Sequence, residues 1–134
     1  MTMAKACLLV AAMLPGPLVL EYSAAVYAAP AAAAGDAERG KVLFEKRCTG
    51  CHSLDQDKEG PRLRHVYGSK AGSVSSFKYS SALSAAHVTW DQQSLDKWLT
   101  DPESIAPDND MAFRLPKPEE RADIIRYLQL ASGR

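Results

Sequence analysis

The chain has 134 residues, 16 basic and 16 acidic side chains, a formal net charge of +0 and 46% hydrophobic residues. The length allows one domain, and the charge balance gives no support for nucleic-acid binding, which needs a basic excess. No repeat of solenoid length and no block of like charge is present.

The first 35 residues, MTMAKACLLVAAMLPGPLVLEYSAAVYAAPAAAAG, combine Lys5, an apolar run and a small-residue tail. This is the layout of a secretory signal peptide. Val26 and Ala28 meet the small-residue cleavage rule, which puts a signal peptide at residues 1–28 and a loose Ala/Pro leader at 29–35. An uncleaved membrane anchor is the alternative. Glu21 and the Pro15/Pro17 pair count against a clean span, because a carboxylate is expensive in lipid. Cys7 has no lipobox around it and reads as a small hydrophobe. Cleavage removes Lys5 and Glu21 together, so the mature chain stays neutral, and it also removes Cys7 and three of the four methionines.

The remaining domain, residues 36–134, reads as all-α. Asp36 caps a helix through AERGKVLFEKR, with Val42, Leu43 and Phe44 apolar. Gly40 stands one turn before Phe44, where it permits close approach by another helix. Residues 53–77 look irregular, and a loop that long implies that something fills the space behind it. A short helix runs through SSALSAA. Thr89 with Gln92 forms a capping box, followed by the apolar stripe Leu95, Trp98, Leu99. Asp101-Pro102 stops that helix and opens a short turn. The stretch IAPDNDMAFRLPKP reads as a loop. Pro118 starts the last helix, Glu119 and Glu120 suit its positive end, and Gly133 ends it. Its apolar face is Ile124, Tyr127, Leu128 and Ala131.

The chemistry concentrates in CTGCH, Cys48 to His52. A disulfide between cysteines three apart closes a tiny loop and adds little stability. Three chemistries use this spacing. Covalent haem attachment joins each sulfur to a vinyl group and gives His52 to the iron. A zinc knuckle needs a second ligand pair, and His65 and His87 are too far apart to supply one. A thioredoxin-like redox pair wants a βαβ context, and no strand pattern is visible. Haem attachment fits best. The iron's other face then needs a ligand. Met111 is the only methionine beyond the leader; it sits on a loop rather than on an apolar stripe, and core filler is its plain alternative. His65 and His87 are its rivals.

In their order, CTGCH, GPRL, YSSAL, VTWD, LDKWLTDP, MAF and EERADIIRYL resemble a class I c-type cytochrome, of the mitochondrial type and its small bacterial relatives. The resemblance spans Asp36 to Ser132. It implies the cytochrome c fold: crossing N- and C-terminal helices, with shorter helices and loops wrapped around one covalent haem c. It implies thioether links at Cys48 and Cys51 and iron ligation by His52 and Met111. Pro61 corresponds to the residue whose carbonyl accepts the His52 ring N–H. Tyr79 and Trp90 correspond to residues whose O–H and N–H reach a haem propionate, and Trp98 and Phe113 complete the cofactor-binding set. Gly40 and Phe44 are expected to meet Ile124 and Tyr127.

There are departures. Trp98 replaces a tyrosine that hydrogen-bonds the methionine sulfur, which leaves that contact open. Leu83 replaces an asparagine. Ser69 replaces an arginine near a propionate, leaving that charge less compensated. The His52–Pro61 loop is shorter than in the mitochondrial form, and MAFRLPKPEER lacks one residue. Instead of a ring of lysines, the segment before Met111 carries Asp101, Glu103, Asp108 and Asp110, while Lys58, Arg62, Arg64, Lys70 and Lys78 gather earlier. The expected molecule is dipolar, and its partner's docking patch is not strongly acidic.

The expected function is that of a soluble, monomeric one-electron carrier in the periplasm, not an enzyme, with no stable membrane insertion once the leader is cleaved. Its donors would be a quinol-oxidising complex or a periplasmic dehydrogenase, and its acceptors a terminal oxidase or a photosynthetic centre. One alternative is a haem with an open sixth position, serving as a gas sensor or enzyme subunit. The other is a haem-free zinc or structural module.

Overall fold

A computed structural model describes residues 35–134. The proposed signal peptide, and all of the proposed leader except Gly35, lie outside the described residues. Among the described residues, four α-helices and one 3₁₀ turn carry the fold. No strand occurs among the described residues, and the only pairing of extended backbone there is an isolated antiparallel bridge between Lys70 and Thr89.

Helix α1 spans Ala37–Arg47. The Asp36 carboxylate accepts from the Glu38 and Arg39 N–H groups, and Lys46 and Arg47 close the last turn, so both ends complement the helix dipole. Helix α4 spans Pro118–Ala131, with Pro118 at its first position and Glu119 and Glu120 in its first turn. The two helices pack on each other. At Gly40 a Cβ would lie 2.0 Å from the Asp123 carbonyl oxygen and 2.9 Å from the Tyr127 Cβ. Only glycine allows that approach. Phe44 then meets Tyr127, with ring centroids 5.5 Å apart, and Ile124 and Ile125 are buried beneath.

Helix α2 is the short segment Ser81–Ala85, capped by the Ser80 hydroxyl. Helix α3, Gln92–Thr100, buries Leu95, Trp98 and Leu99. The capping box expected from Thr89 and Gln92 is displaced by two residues. Asp91 is the N-cap, accepting from the Ser94 N–H at 2.8 Å while the Ser94 hydroxyl accepts from the Asp91 N–H at 2.8 Å. Thr89 pairs with Lys70 instead. Extended backbone there, carried on by the Trp90 N–H to Ser69 O bond of 2.8 Å, takes Thr89 out of the helix start.

After α3 the chain turns through a 3₁₀ segment, Pro102–Ser104, whose Pro102 is buried, and which packs on α3. Residues 53–79 contain no helix. The Leu63 and Arg64 N–H groups bond to Ser53 O and Leu54 O, and those of Gly68 and Ala71 to Trp90 O and Val88 O. The loop is therefore tied to both its own start and the approach to α3. It wraps one large cavity, and its Leu54, Leu63 and Val66 pack against the buried core.

Candidate functional site

The cysteine motif grows directly out of α1. Cys48 is the C-cap, its N–H bonded to Phe44 O. The Cys51 and His52 N–H groups return to Cys48 O at 3.1 and 2.8 Å. This tight turn brings both thiols and the imidazole to one wall. The thiols are free, not joined to each other. Burial pushes the Cys48 thiol up to about 11, helped by the neighbouring Cys51, and a hydrogen bond to Glu59 raises Cys51. A reactive thiol–disulfide pair has the opposite property, a depressed thiol pKa. Among the described residues no three His, Cys, Asp or Glu side chains cluster to hold a metal ion, so the donor set does not suit a zinc knuckle.

His52 Nδ1 lies 2.8 Å from Pro61 O. A carbonyl only accepts, so Nδ1 carries the hydrogen and the lone pair resides on Nε2. Burial lowers the His52 pKa below its ordinary value, opposed by the Pro61 bond. The ring is thus neutral at pH 7, the form that ligates metals. Gly60 explains how the ring fits: a Cβ there would lie 2.2 Å from His52 Cε1.

Cys48, Cys51, His52, Pro61, Tyr79, Trp90, Trp98, Met111 and Phe113 all line one cavity of about 720 Å³. Much of its wall is apolar, from Phe44, Leu63, Leu95, Leu99 and Leu128. The volume suits a cofactor-sized ligand. The Trp98 indole N–H donates to Met111 Sδ at 3.1 Å. The contact left open by the loss of the usual tyrosine is made here by an indole. Trp98 also packs on Trp90, with ring centroids 5.3 Å apart. Tyr79 Oη accepts from the Val74 N–H at 3.3 Å, which leaves its own hydrogen to donate. The Ser69 hydroxyl donates to Val66 O at 2.8 Å. His65 lies on the same cavity, whereas His87 lies on a separate small pocket beside Lys70 and Thr89.

Sequence reasoning missed Glu59, Gly60, Glu103 and Asn109 as parts of this site. Gly60 carried a signal, since a glycine directly before Pro61 marks a tight backbone approach. Asn109 bonds the backbone N–H two residues on, a local Asx pattern, whereas Glu59 and Glu103 act through partners five or more residues away.

The family model for cytochrome c matches residues 37–132. The chain belongs to the cytochrome c family. It is 41% identical over 106 residues to a cytochrome c from Chlamydomonas reinhardtii, covering 76% of this chain and 95% of that one. It is 40% identical over 115 residues to cytochrome c2 of Rhodomicrobium vannielii, covering 83% and 91%. Among solved structures, cytochrome cH from Methylobacterium extorquens matches with a TM-score of 0.68 and 38% identity, covering 72% of this chain and 99% of that one. The fold is therefore the helical cytochrome c fold. The cofactor is one covalent haem c, with Cys48 and Cys51 in the attachment motif. The family is one of electron carriers, not enzymes.

Proposed function

We propose that residues 36–134 form a one-electron carrier in which His52 and Met111 are the axial ligands. It would work in the periplasm after loss of residues 1–28. When bound, haem c supplies a single iron that exchanges one electron. The chain's own residues prepare for that exchange without themselves reacting. Pro61 O holds the His52 ring in the tautomer that keeps Nε2 free to ligate. Trp98 fixes the Met111 sulfur by one lone pair, leaving a second. Apolar walls exclude water, so little solvent has to reorganise when the charge changes. Tyr79 and Trp90 present polar hydrogens for the carboxylates of the cofactor. Donors would be a quinol-oxidising complex or a periplasmic dehydrogenase; acceptors would be a terminal oxidase or a photosynthetic centre.

The observation that carries this reading is the placing of Met111 on the same cavity as His52, with its sulfur held by an indole hydrogen. His52 and Met111 would then both hold the iron, and no position on it would be left for a substrate. Spectra of the reduced holoprotein before and after carbon monoxide test it. The wild type should be unaffected by the gas, and Met111→Ala should bind it. Ready binding by the wild type would move the assignment to a gas sensor or enzyme subunit.

A further inference from the structure

We infer that Glu103 and Asn109 form a bracket that fixes Met111 in the cavity and sets how easily an outside ligand displaces it. The inference rests on Met111 being an iron ligand. The Asn109 side chain is held at both ends. Its Nδ2 donates to Glu103 Oε1 at 2.8 Å and to Ala106 O at 2.9 Å. Its Oδ1 accepts the Met111 N–H at 2.8 Å. Turning the amide over would set an oxygen against two oxygens, so the network fixes its orientation.

Between Glu103 and Asn109 the chain makes an unusual bend. Asp108 has φ 63, the only positive value among the described non-glycine residues, in a region that side-chain-bearing residues rarely enter. Its N–H donates to Glu103 Oε2 at 3.1 Å. One carboxylate therefore grips both the bend and the amide that holds Met111. Glu103 itself sits on the Pro102–Ser104 turn, which is anchored by buried Pro102 and packs on α3. Helix α3 also carries Trp98, the donor to the Met111 sulfur. Met111 is thus held to one rigid support twice, through its backbone by the bracket and through its sulfur by the indole. Glu103 and Asn109 are positioning residues in this arrangement; Asn109 touches Met111, and Glu103 acts through Asn109 and through the bend at Asp108.

The test uses oxidised holoprotein titrated with imidazole, and follows the absorption band that a thioether sulfur gives with oxidised iron. Glu103→Ala and Asn109→Ala should each bind imidazole on the order of tenfold more tightly than wild type, a change of ~1.4 kcal/mol. The double variant should fall short of the sum of the two single effects, because both singles remove the shared Glu103–Asn109 link. Glu103→Gln keeps one acceptor oxygen and should fall between wild type and Glu103→Ala; if Glu103→Ala does not accumulate, this variant decides. Affinities unchanged from wild type, or effects that simply add in the double variant, would overturn the bracket even if thermal stability fell. A wild type that lacks the sulfur band overturns Met111 ligation and the bracket with it. A wild type that shows the band while the variants bind imidazole normally overturns the bracket alone.

Discussion

Trp98 stands where the resemblance implies a tyrosine, and the exchange changes what the side chain can do. An indole N–H is a donor only, and here it is spent on Met111 Sδ at 3.1 Å. A tyrosine hydroxyl could also accept, so it could turn toward a water or another donor; the indole cannot. Trp98 is also 7% exposed, so the contact forms away from bulk water, where a hydrogen bond is electrostatically stronger. With Met111 on the iron, as proposed, donation to its sulfur would draw electron density away from the metal and favour the reduced state. Trp98→Phe should therefore lower the midpoint potential by a few tens of millivolts, ~59 mV being a tenfold change in a one-electron equilibrium. Voltammetry of the two holoproteins decides; a potential that stays put removes the indole from tuning the iron, and one that rises overturns the assigned direction. Trp98→Phe also leaves a gap where the larger ring was. A stability loss without a potential change would therefore mark Trp98 as packing alone.

The helices were the most predictable parts, because their signals are local. Asp36, Pro118 and the acidic first turn of α4 state where helices begin, and Gly40 announces the α1–α4 contact that the structure makes at Asp123. The capping box at Thr89 failed because Thr-x-x-Gln and Asp-x-x-Ser compete within six residues, and a partner at Lys70, far off in sequence, decided between them. The same distance hid the tie that locks α1 to α4. Asp123 is 5% exposed. It receives Arg39 Nε at 2.9 Å and the Asp36 N–H at 2.7 Å. The Arg39 hydrogen bond, joined by the Asp36 N–H and opposed by burial, holds the Asp123 carboxyl below its ordinary 3.8. A carboxyl with a depressed folded-state pKa stabilises above the unfolded value and loses that contribution as pH falls through the folded one. Asp123→Asn keeps the shape and an oxygen for Asp36 but loses the charge. Its stability, from urea denaturation at pH ~7, should lie below wild type, and the gap should close as pH drops below about 4. Asp55, Asp57 and Asp91 are depressed too, so both proteins weaken in acid and only the difference between them reports on Asp123. A gap that stays constant across that range would assign the tie to shape instead of charge.

If the partner of the proposed carrier docks at the cavity face, the charges there decide whether it is steered. The formal net charge is +0, so steering depends on how the two signs are distributed. Arg62, Arg64, Lys70 and Lys78 line the cavity, and Asp110 lines it as well. Exposed Glu103 and Asp108 lie in the segment leading to it. The basic group is weaker than its count implies, because Arg62 pairs with Asp57 at 3.7 Å and Arg64 pairs with Asp55. Lys70 and Lys78 are left to act at a distance, against acidic side chains of similar number. An acidic docking patch would be drawn to the lysines and repelled by the segment before Met111, and the two effects largely cancel beyond a Debye length of about 10 Å at 0.1 M salt. Association with a redox partner whose patch is strongly acidic should then run at an unsteered rate, roughly 10⁵–10⁶ M⁻¹s⁻¹, and change little with ionic strength. Asp110→Lys, which leaves the Glu103–Asn109 bracket intact, would leave the basic lobe less opposed and should make the same reaction faster and more salt-dependent. Stopped-flow rates across a salt series compare the two. If the wild type already associates rapidly and slows sharply as salt rises, the balanced face does not exist in solution, and the acidic segment must point away from the docking surface.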